Sequence, residues 1–189
     1  MRAAGCGRLV FSSTGAVYGN ADSKALPETY SCQPINPYGS SKWMIEQMLA
    51  DHRRAYGLGA FCLRYFNASG ADASATIGEL RDPETHLIPR AMMALQGHVP
   101  DFAVFGDDYD TPDGTAIRDY IHVTDLAAAH VKALTLLLGG HAGGSFNLGT
   151  GHGFSVKEIL AAIASVTGRE VPHRIEPRRM GDPTYLVAD

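Results

Sequence analysis

Arg8-Leu9-Val10-Phe11-Ser12-Ser13-Thr14-Gly15 begins apolar and ends in small hydroxyl-bearing residues, the pattern of a buried strand that empties into a loop. The segment Asp22 to Pro37 carries Pro27, Pro34 and Pro37, which predicts an irregular surface excursion. From Pro37 the periodicity changes. Proline suits a first helical turn, and Met44, Ile45, Met48, Leu49, His52, Ala55 and Tyr56 recur at three-to-four spacing until Gly57. A second strand-like run, Ala60 to Phe66, is followed by a polar loop and a helical stretch from about Leu87 to Gln96. Strand, helix, strand, helix is the order that builds a parallel α/β sheet.

The second half repeats these elements less regularly. Strands are expected at Phe102–Phe105, Tyr120–Val123 and Ser145–Leu148, and a helix from about Asp125 to Leu138 closed by Gly139-Gly140. Ser155-Val156-Lys157-Glu158 is a capping-box sequence opening a helix that runs to Val166 and stops at Gly168. Met1 to Gly5 resembles the last turn of a helix, and Tyr185 to Asp189 is strand-like with nothing after it to pack on. A doubly wound sheet beginning and ending this way is expected to be a fragment.

The 189 residues are 45% hydrophobic and 19% charged, with a net charge of −4, which describes a globular chain able to bury about 70% of its unfolded surface. Disorder, collagen and coiled coil are excluded by composition. No apolar run approaches the ~20 residues of a membrane span, and the first residues lack a signal-peptide core. Three cysteines, Cys6, Cys32 and Cys62, without a CxxC pair fit reduced thiols. A cytoplasmic location is expected, with no membrane and, given the mild acidity, no nucleic-acid partner. The eight histidines form no Cys/His/carboxylate cluster in the sequence, so no metal is expected, and His122 and His130 read as core or surface residues. Met44, Met48, Met92 and Met93 read as helix-packing residues.

Tyr38-Gly39-Ser40-Ser41-Lys42 is the strongest local signal. A spacing of four puts Tyr38 and Lys42 on one helix face. A fixed ammonium favours the ionised form of a neighbouring phenol, turning it into a proton acceptor near neutral pH. The bland alternative is a half-buried tyrosine beside a solvated lysine, and the strand-end hydroxyls of Ser12, Ser13 and Thr14 weigh against it. Gly149-Thr150-Gly151-His152-Gly153 invites a phosphate-loop reading, but the spacing is GxGxG and no Lys-Ser/Thr follows, so a tight structural turn is expected. Arg169, Arg174, Arg178 and Arg179 are open to reading as a solvated face.

Taken in order, Ser-Ser-Thr-Gly-Ala-Val-Tyr-Gly at Ser12–Gly19, Pro37 to Lys42, Tyr65-Phe66-Asn67, Gly114 to Val123 with Arg-Asp-Tyr-Ile-His-Val, and Arg178-Arg179-Met180-Gly181-Asp182 resemble the extended short-chain dehydrogenase/reductase superfamily. Within it they are most similar to the UDP-glucose 4-epimerase (UDP-galactose 4-epimerase) family. The resemblance covers essentially the whole chain. It implies the later part of a Rossmann-type parallel sheet plus most of a small C-terminal nucleotide-sugar-binding lobe. Residues 1–75 would close the NAD-binding domain and 76–189 would be mainly the substrate lobe, with 115–150 returning to the Rossmann sheet. The family's Gly-rich pyrophosphate turn has no counterpart among the 189 residues, so about 100 residues are expected in front of Met1, at roughly 30 per βαβ unit.

The resemblance further implies an NAD cofactor, a UDP-sugar substrate and a homodimeric parent enzyme. Tyr38 would be the base and acid on the sugar 4-hydroxyl, and Lys42 would hold the nicotinamide ribose. Thr14 would bond the 4-oxygen, and Ser12 and Tyr65 would contact the cofactor. Phe66 and Asn67 would line its junction with the substrate. His86, Leu87 and Ile88 fall in a UDP-contacting stretch, where many members carry Asn at the place of His86. Ala103, Val104 and Phe105 would flank the uracil, Arg118 would face the pyrophosphate, Arg179 and Asp182 would reach phosphate and ribose, and Leu186 would lie beside the sugar 2-substituent. The parent would interconvert UDP-glucose and UDP-galactose through a 4-keto sugar, with this chain alone inactive. Two other readings stay open: another NAD-dependent nucleotide-sugar epimerase or dehydratase, although Thr14-Gly15-Ala16 lacks the acidic pair of a dehydratase, and a non-catalytic fragment.

Overall fold

The computed structural model describes residues 1–21, 25–100 and 102–189. Residues 22–24 of the proline-rich excursion therefore lie outside it. Three strands form a parallel sheet in the order β1 (Arg8–Thr14), β2 (Gly59–Tyr65), β6 (Gly143–Leu148). The register runs from Arg8 opposite Gly59 to Thr14 opposite Tyr65, and from Ala60 opposite Gly143 to Tyr65 opposite Leu148. Side chains alternate across β2, so helices cover both faces. Phe61 and Leu63 pack with Ala133 and Leu137 of α3 (Val123–Leu138), while Arg64 faces α1 (Pro37–Tyr56).

Downstream, β3 (Asn67–Ser69) pairs in parallel with β5 (Ile117–His122), which also takes β7 (Gly153–Ser155) antiparallel and β9 (Tyr185–Leu186) parallel. A separate parallel pair, β4 (Phe102–Phe105) with β8 (His173–Glu176), packs on α2 (Leu87–Leu95) and α4 (Val156–Thr167) around Ala91, Val104, Leu160 and Ile163. The capping box at the head of α4 is formed: Glu158 N–H donates to Ser155 Oγ at 3.0 Å and Ser155 N–H donates back to Glu158 Oε2 at 2.7 Å.

Several expectations need correction. β1 continues through Thr14, where only Arg8–Phe11 read as strand, because its polar end is still laddered to β2. The end of the chain does find packing: β9 sits beside β5, and Leu186, Val187 and Ala188 are buried. Met44 and Met48 are not packing residues, being 63% and 58% exposed. The side of α1 turned inward carries Gly39 and Glu46, so its apolar stripe faces outward. Met92, in contrast, packs against the α2–α4 core.

The Gly149–Gly153 segment is a structural turn wrapped on a buried carboxylate. Asp119, with no exposed surface, accepts from Thr150 N–H at 2.8 Å, Thr150 Oγ1 at 2.8 Å, Gly151 N–H at 3.0 Å and Ala188 N–H at 3.2 Å. Those amides are consumed by the protein itself. Among the described residues no helix is long and apolar enough to cross a membrane.

Candidate functional site

The site begins where α1 meets the end of β1. Asn36 caps the helix by accepting from Gly39 N–H at 2.8 Å, and Pro37 fixes its first turn. Gly39 is required by proximity, because a Cβ there would meet the Ala16 carbonyl oxygen at 2.5 Å. The helix end therefore lies directly on the 3-10 turn Gly15–Tyr18 that follows Thr14. This approach presents Tyr38, 57% exposed, beside the strand end. Lys42 Nζ donates to the Ser12 carbonyl at 3.0 Å and lies 5.7 Å from the centre of the Tyr38 ring. Thr14, largely buried, accepts from Ala16 N–H at 3.1 Å, which leaves its own hydroxyl proton to donate.

Two recesses open from this point. The larger, about 1230 Å³, is lined by Thr14, Tyr38, Tyr65, Phe66, Asn67, His86, Leu87 and Ile88 among the anticipated residues. The smaller, about 190 Å³, is lined by Thr14, Tyr38, Phe66, Asn67, Arg118, Asp182 and Leu186. Thr14, Tyr38, Phe66 and Asn67 are common to both, so the phenol and the hydroxyl stand on the ridge between them.

Arg118 supplies the positive charge of the smaller recess. Its Nη1 donates only to main-chain oxygens, of Ile117 at 2.8 Å and Thr184 at 3.4 Å, and among the described residues no carboxylate forms an ion pair with it. Burial pulls this guanidinium below its ordinary value, opposed by Asp182, Tyr120 and Tyr109. A desolvated guanidinium that makes no direct ion pair among the described residues is a seat for an anionic ligand.

His86 stands at the mouth of the larger recess, with Nδ1 3.1 Å from Glu84 Oε1 and Nε2 3.3 Å from Arg81 Nη1. Burial would raise the Glu84 carboxyl, but the amides of His86 and Thr85 and the His86 ring outweigh it and hold the group below the usual carboxylate range. Glu79, Glu84 and His86 bring one donor atom each within 4.8 Å of one another. Glu79 joins this group through its 2.5 Å ion pair with His86 Nδ1, and Glu84 through the bonds it accepts from the Thr85 and His86 amides.

Not every anticipated residue reaches these walls. Val104 is 1% exposed in the α2–α4 core, so only its main chain is free to meet a ligand. Ala103 and Phe105 sit on the other face of β4, where the Arg179 guanidinium lies 3.7 Å from the Phe105 ring centre. Ser12 and Lys42 lie outside both linings.

The structure adds Glu46, which sequence reading passed over, and gives His130, read as a core or surface residue, two contacts near the site. His130 Nδ1 lies 2.8 Å from the Leu126 carbonyl and so carries the proton; Nε2 then offers its single lone pair to Tyr65 Oη at 3.2 Å or to Ser12 Oγ at 3.4 Å. Glu46 is buried beneath Lys42. The signal for Glu46 was present, since Tyr38, Lys42 and Glu46 recur every four residues; His130 had no comparable signal.

Comparison with known proteins follows the same lines. The profile of the NAD dependent epimerase/dehydratase family matches residues 1–149. The UDP-glucose 4-epimerase of Rhizobium meliloti (strain 1021) is 52% identical over 187 residues, 99% of this chain and 57% of the relative. The crystal structure of UDP-glucose 4-epimerase from Brucella ovis in complex with NAD superposes with a TM-score of 0.91 at 54% identity, covering 96% of this chain and 56% of that one. That from Stenotrophomonas maltophila, with bound NAD and formylated UDP-arabinopyranose, gives 0.94 at 48% identity over 100% of this chain and 57% of that one. The chain thus spans somewhat more than half the length of the relatives it matches.

Proposed function

The chain belongs to the NAD dependent epimerase/dehydratase family, and from that premise we propose that it forms the catalytic-base and sugar-nucleotide part of a UDP-glucose 4-epimerase. The observation that carries this reading is the ridge of Tyr38 and Thr14 between two recesses, backed by the Lys42–Ser12 bond and faced by the unpaired Arg118. NAD, when bound, supplies the hydride acceptor and donor that invert the sugar carbon through a 4-keto sugar. The chain's residues bind, orient and move the proton. Tyr38 takes the proton of the 4-hydroxyl and returns it. The Lys42 ammonium, 5.7 Å from the Tyr38 ring centre, has hydrogens left, after Ser12, for a ribose hydroxyl. Thr14 donates to the 4-oxygen, Arg118 and Asn67 hold the phosphates, and Leu186 and Asp182 close the small recess around the sugar and ribose. Arg179 would reach the nucleotide by leaving its stack on Phe105.

The residues present fit the nicotinamide end of NAD: an exposed phenol, a half-free ammonium and a large adjoining recess. The glycine-rich turn Gly149–Gly153 does not serve as a pyrophosphate cradle, since its Thr150 and Gly151 amides are bonded to Asp119. The 189 residues alone are therefore expected to bind NAD weakly. The outward Met44, Met48 and Tyr56 of α1 support a homodimer formed through that face, which Met44→Glu should disperse in sedimentation velocity. A cytoplasmic location is supported by the three unpaired thiols.

The test is a chimera in which this chain replaces the 187 matching residues of the R. meliloti enzyme. It should interconvert UDP-glucose and UDP-galactose with NAD bound. A folded, NAD-loaded chimera with no turnover would sink the proposal.

A further inference from the structure

Below Tyr38 and Lys42, the same stripe of α1 carries a carboxylate into the interior. Glu46 is 4% exposed and lies four residues past Lys42 and eight past Tyr38. At 1.5 Å per residue these intervals are roughly 6 and 12 Å along the axis. All three strands of the parallel sheet bond its two oxygens. Ser13 of β1 donates to Oε1. Arg64 of β2 donates from Nε to Oε1 at 3.0 Å and from Nη2 to Oε2 at 2.7 Å, and Ser145 of β6 donates to Oε2 at 3.0 Å. Arg64 Nη1 extends the network to Tyr18 Oη at 2.9 Å, and Tyr18 donates on to Asn147 Oδ1 at 2.7 Å. Burial would lower the Arg64 guanidinium, but the bonds and charge of Glu46 more than offset it and keep it ionised.

Stability alone does not call for this arrangement. An apolar contact of similar volume would hold α1 to the sheet without desolvating two charges, yet it would let the helix slide or turn slightly. Directional, charge-assisted bonds to three strands do not permit that. Ser13 is the residue between Ser12, whose carbonyl receives Lys42, and Thr14, whose hydroxyl lies on the ridge. We propose that Glu46 is a positioning residue for the reaction: through Ser13 and Arg64 it fixes the register of α1 against the end of β1, and so the placement of Tyr38 and Lys42 relative to Thr14. This rests on the roles given above to Tyr38 and Lys42. A misplacement of about 1 Å at a reacting group is enough to cost on the order of 10²-fold in rate.

The test uses the NAD-loaded chimera with Glu46→Gln and Glu46→Asp, each measured for melting, kcat and KM. Glu46→Gln keeps the volume but turns one acceptor into a donor facing Arg64 or Ser145; Glu46→Asp keeps the charge but withdraws it by one methylene. Both should lower kcat by about 10- to 100-fold at temperatures where the variants are fully folded, with KM for UDP-galactose within about twofold. If Glu46→Gln does not fold, Glu46→Asp decides on the same criterion. Unchanged kcat in a folded variant overturns the proposal, as does a loss that tracks the unfolded fraction and disappears on cooling. An inactive wild-type chimera would instead remove the reading beneath it.

Discussion

Lys42 and Ser12, thirty residues apart, are joined by a 3.0 Å bond from the Lys42 ammonium to the Ser12 carbonyl. The bond ties the Tyr38–Lys42 stripe of α1 to the strand whose next two residues are Ser13 and Thr14, and it leaves the ammonium 5.7 Å from the Tyr38 ring. In the chimera, Tyr38→Phe should lower kcat by at least ~10²-fold with KM nearly unchanged, because ring and packing stay while the proton-transfer group goes. Lys42→Met should lower kcat as well, since the bond to the Ser12 carbonyl and the hydrogens proposed to hold the ribose are both lost. Steady-state rates check both; normal turnover in Tyr38→Phe removes it from the mechanism.

Asp119 should be the most sensitive structural carboxylate. It has no exposed surface and gathers the Thr150 hydroxyl and three amides, those of Thr150, Gly151 and Ala188. Asp119→Ala strands those donors away from water, at a cost of about 3–5 kcal/mol. Urea unfolding of the chain should show it, and a midpoint unchanged from wild type would mean that the turn and the chain end are held by something else.

The order of strands and helices was legible because β1, α1, β2, α3 and α4 each carry a periodic run or a capping signal over six residues or more. β3 and β7 have three residues each, too few to show a period, and β8 is His-Arg-Ile-Glu, whose polarity conceals a strand. The inward side of α1 was misjudged for a different reason. Hydrophobicity points to Met44 and Met48, but the side facing the sheet is chosen by Gly39, which permits close approach, and Glu46, which has three strands of donors waiting. Spacing put Tyr38 and Lys42 on one face of α1. It gave no sign that Val104 turns into the core or that His130 reaches Tyr65, because both depend on how separate elements pack.

Acid should loosen the junction between β5 and α4. Burial raises the Asp113 carboxyl, but bonds from Ser155, Thr115 Oγ1 and the Thr115 amide more than offset it, so the group is held below its ordinary 3.8. A carboxylate depressed in the folded state contributes stability that is complete above the unfolded value and is lost as pH falls through the folded one. Melting temperature should therefore drop as pH falls below about 4, and Asp113→Asn should be less stable at neutral pH with a shallower acid decline. Parallel acid limbs for the two proteins would remove Asp113 from the linkage.

At the alkaline end the sign reverses. Burial, followed by the Glu46 charge, pushes the Cys62 thiol up to about 11 from 9.0. Stability from keeping it neutral is complete below 9.0 and lost as pH rises through about 11. The same burial shields Cys62 from alkylation, whereas Cys6 is exposed. Iodoacetamide followed by peptide mapping should modify Cys6 first and Cys62 only with unfolding; early labelling of Cys62 would show that β2 opens locally.

Leu186 lines the small recess to which the proposed function assigns the sugar, and it belongs to the core as well. It is 8% exposed, packs with Val17, Tyr18 and Leu26, and pairs with Arg118 across β9 and β5, yet it also lines the small recess with Thr14, Tyr38 and Asp182. A leucine leaves little room for an acetamido group, which needs both space and hydrogen-bond partners on entering a closed pocket. The chimera should therefore prefer UDP-glucose and UDP-galactose to their N-acetylamino analogues. Leu186→Ser should destabilise the chain by about 2–4 kcal/mol, because a buried side chain is truncated and a hydroxyl left in its place. It should also raise kcat/KM for UDP-N-acetylglucosamine relative to UDP-glucose by about tenfold. The ratio is the proper measurement, since any unfolded fraction scales both rates equally and cancels. If the melting temperature falls while the ratio stays at its wild-type value, Leu186 is a core residue alone and the sugar 2-substituent is bounded elsewhere.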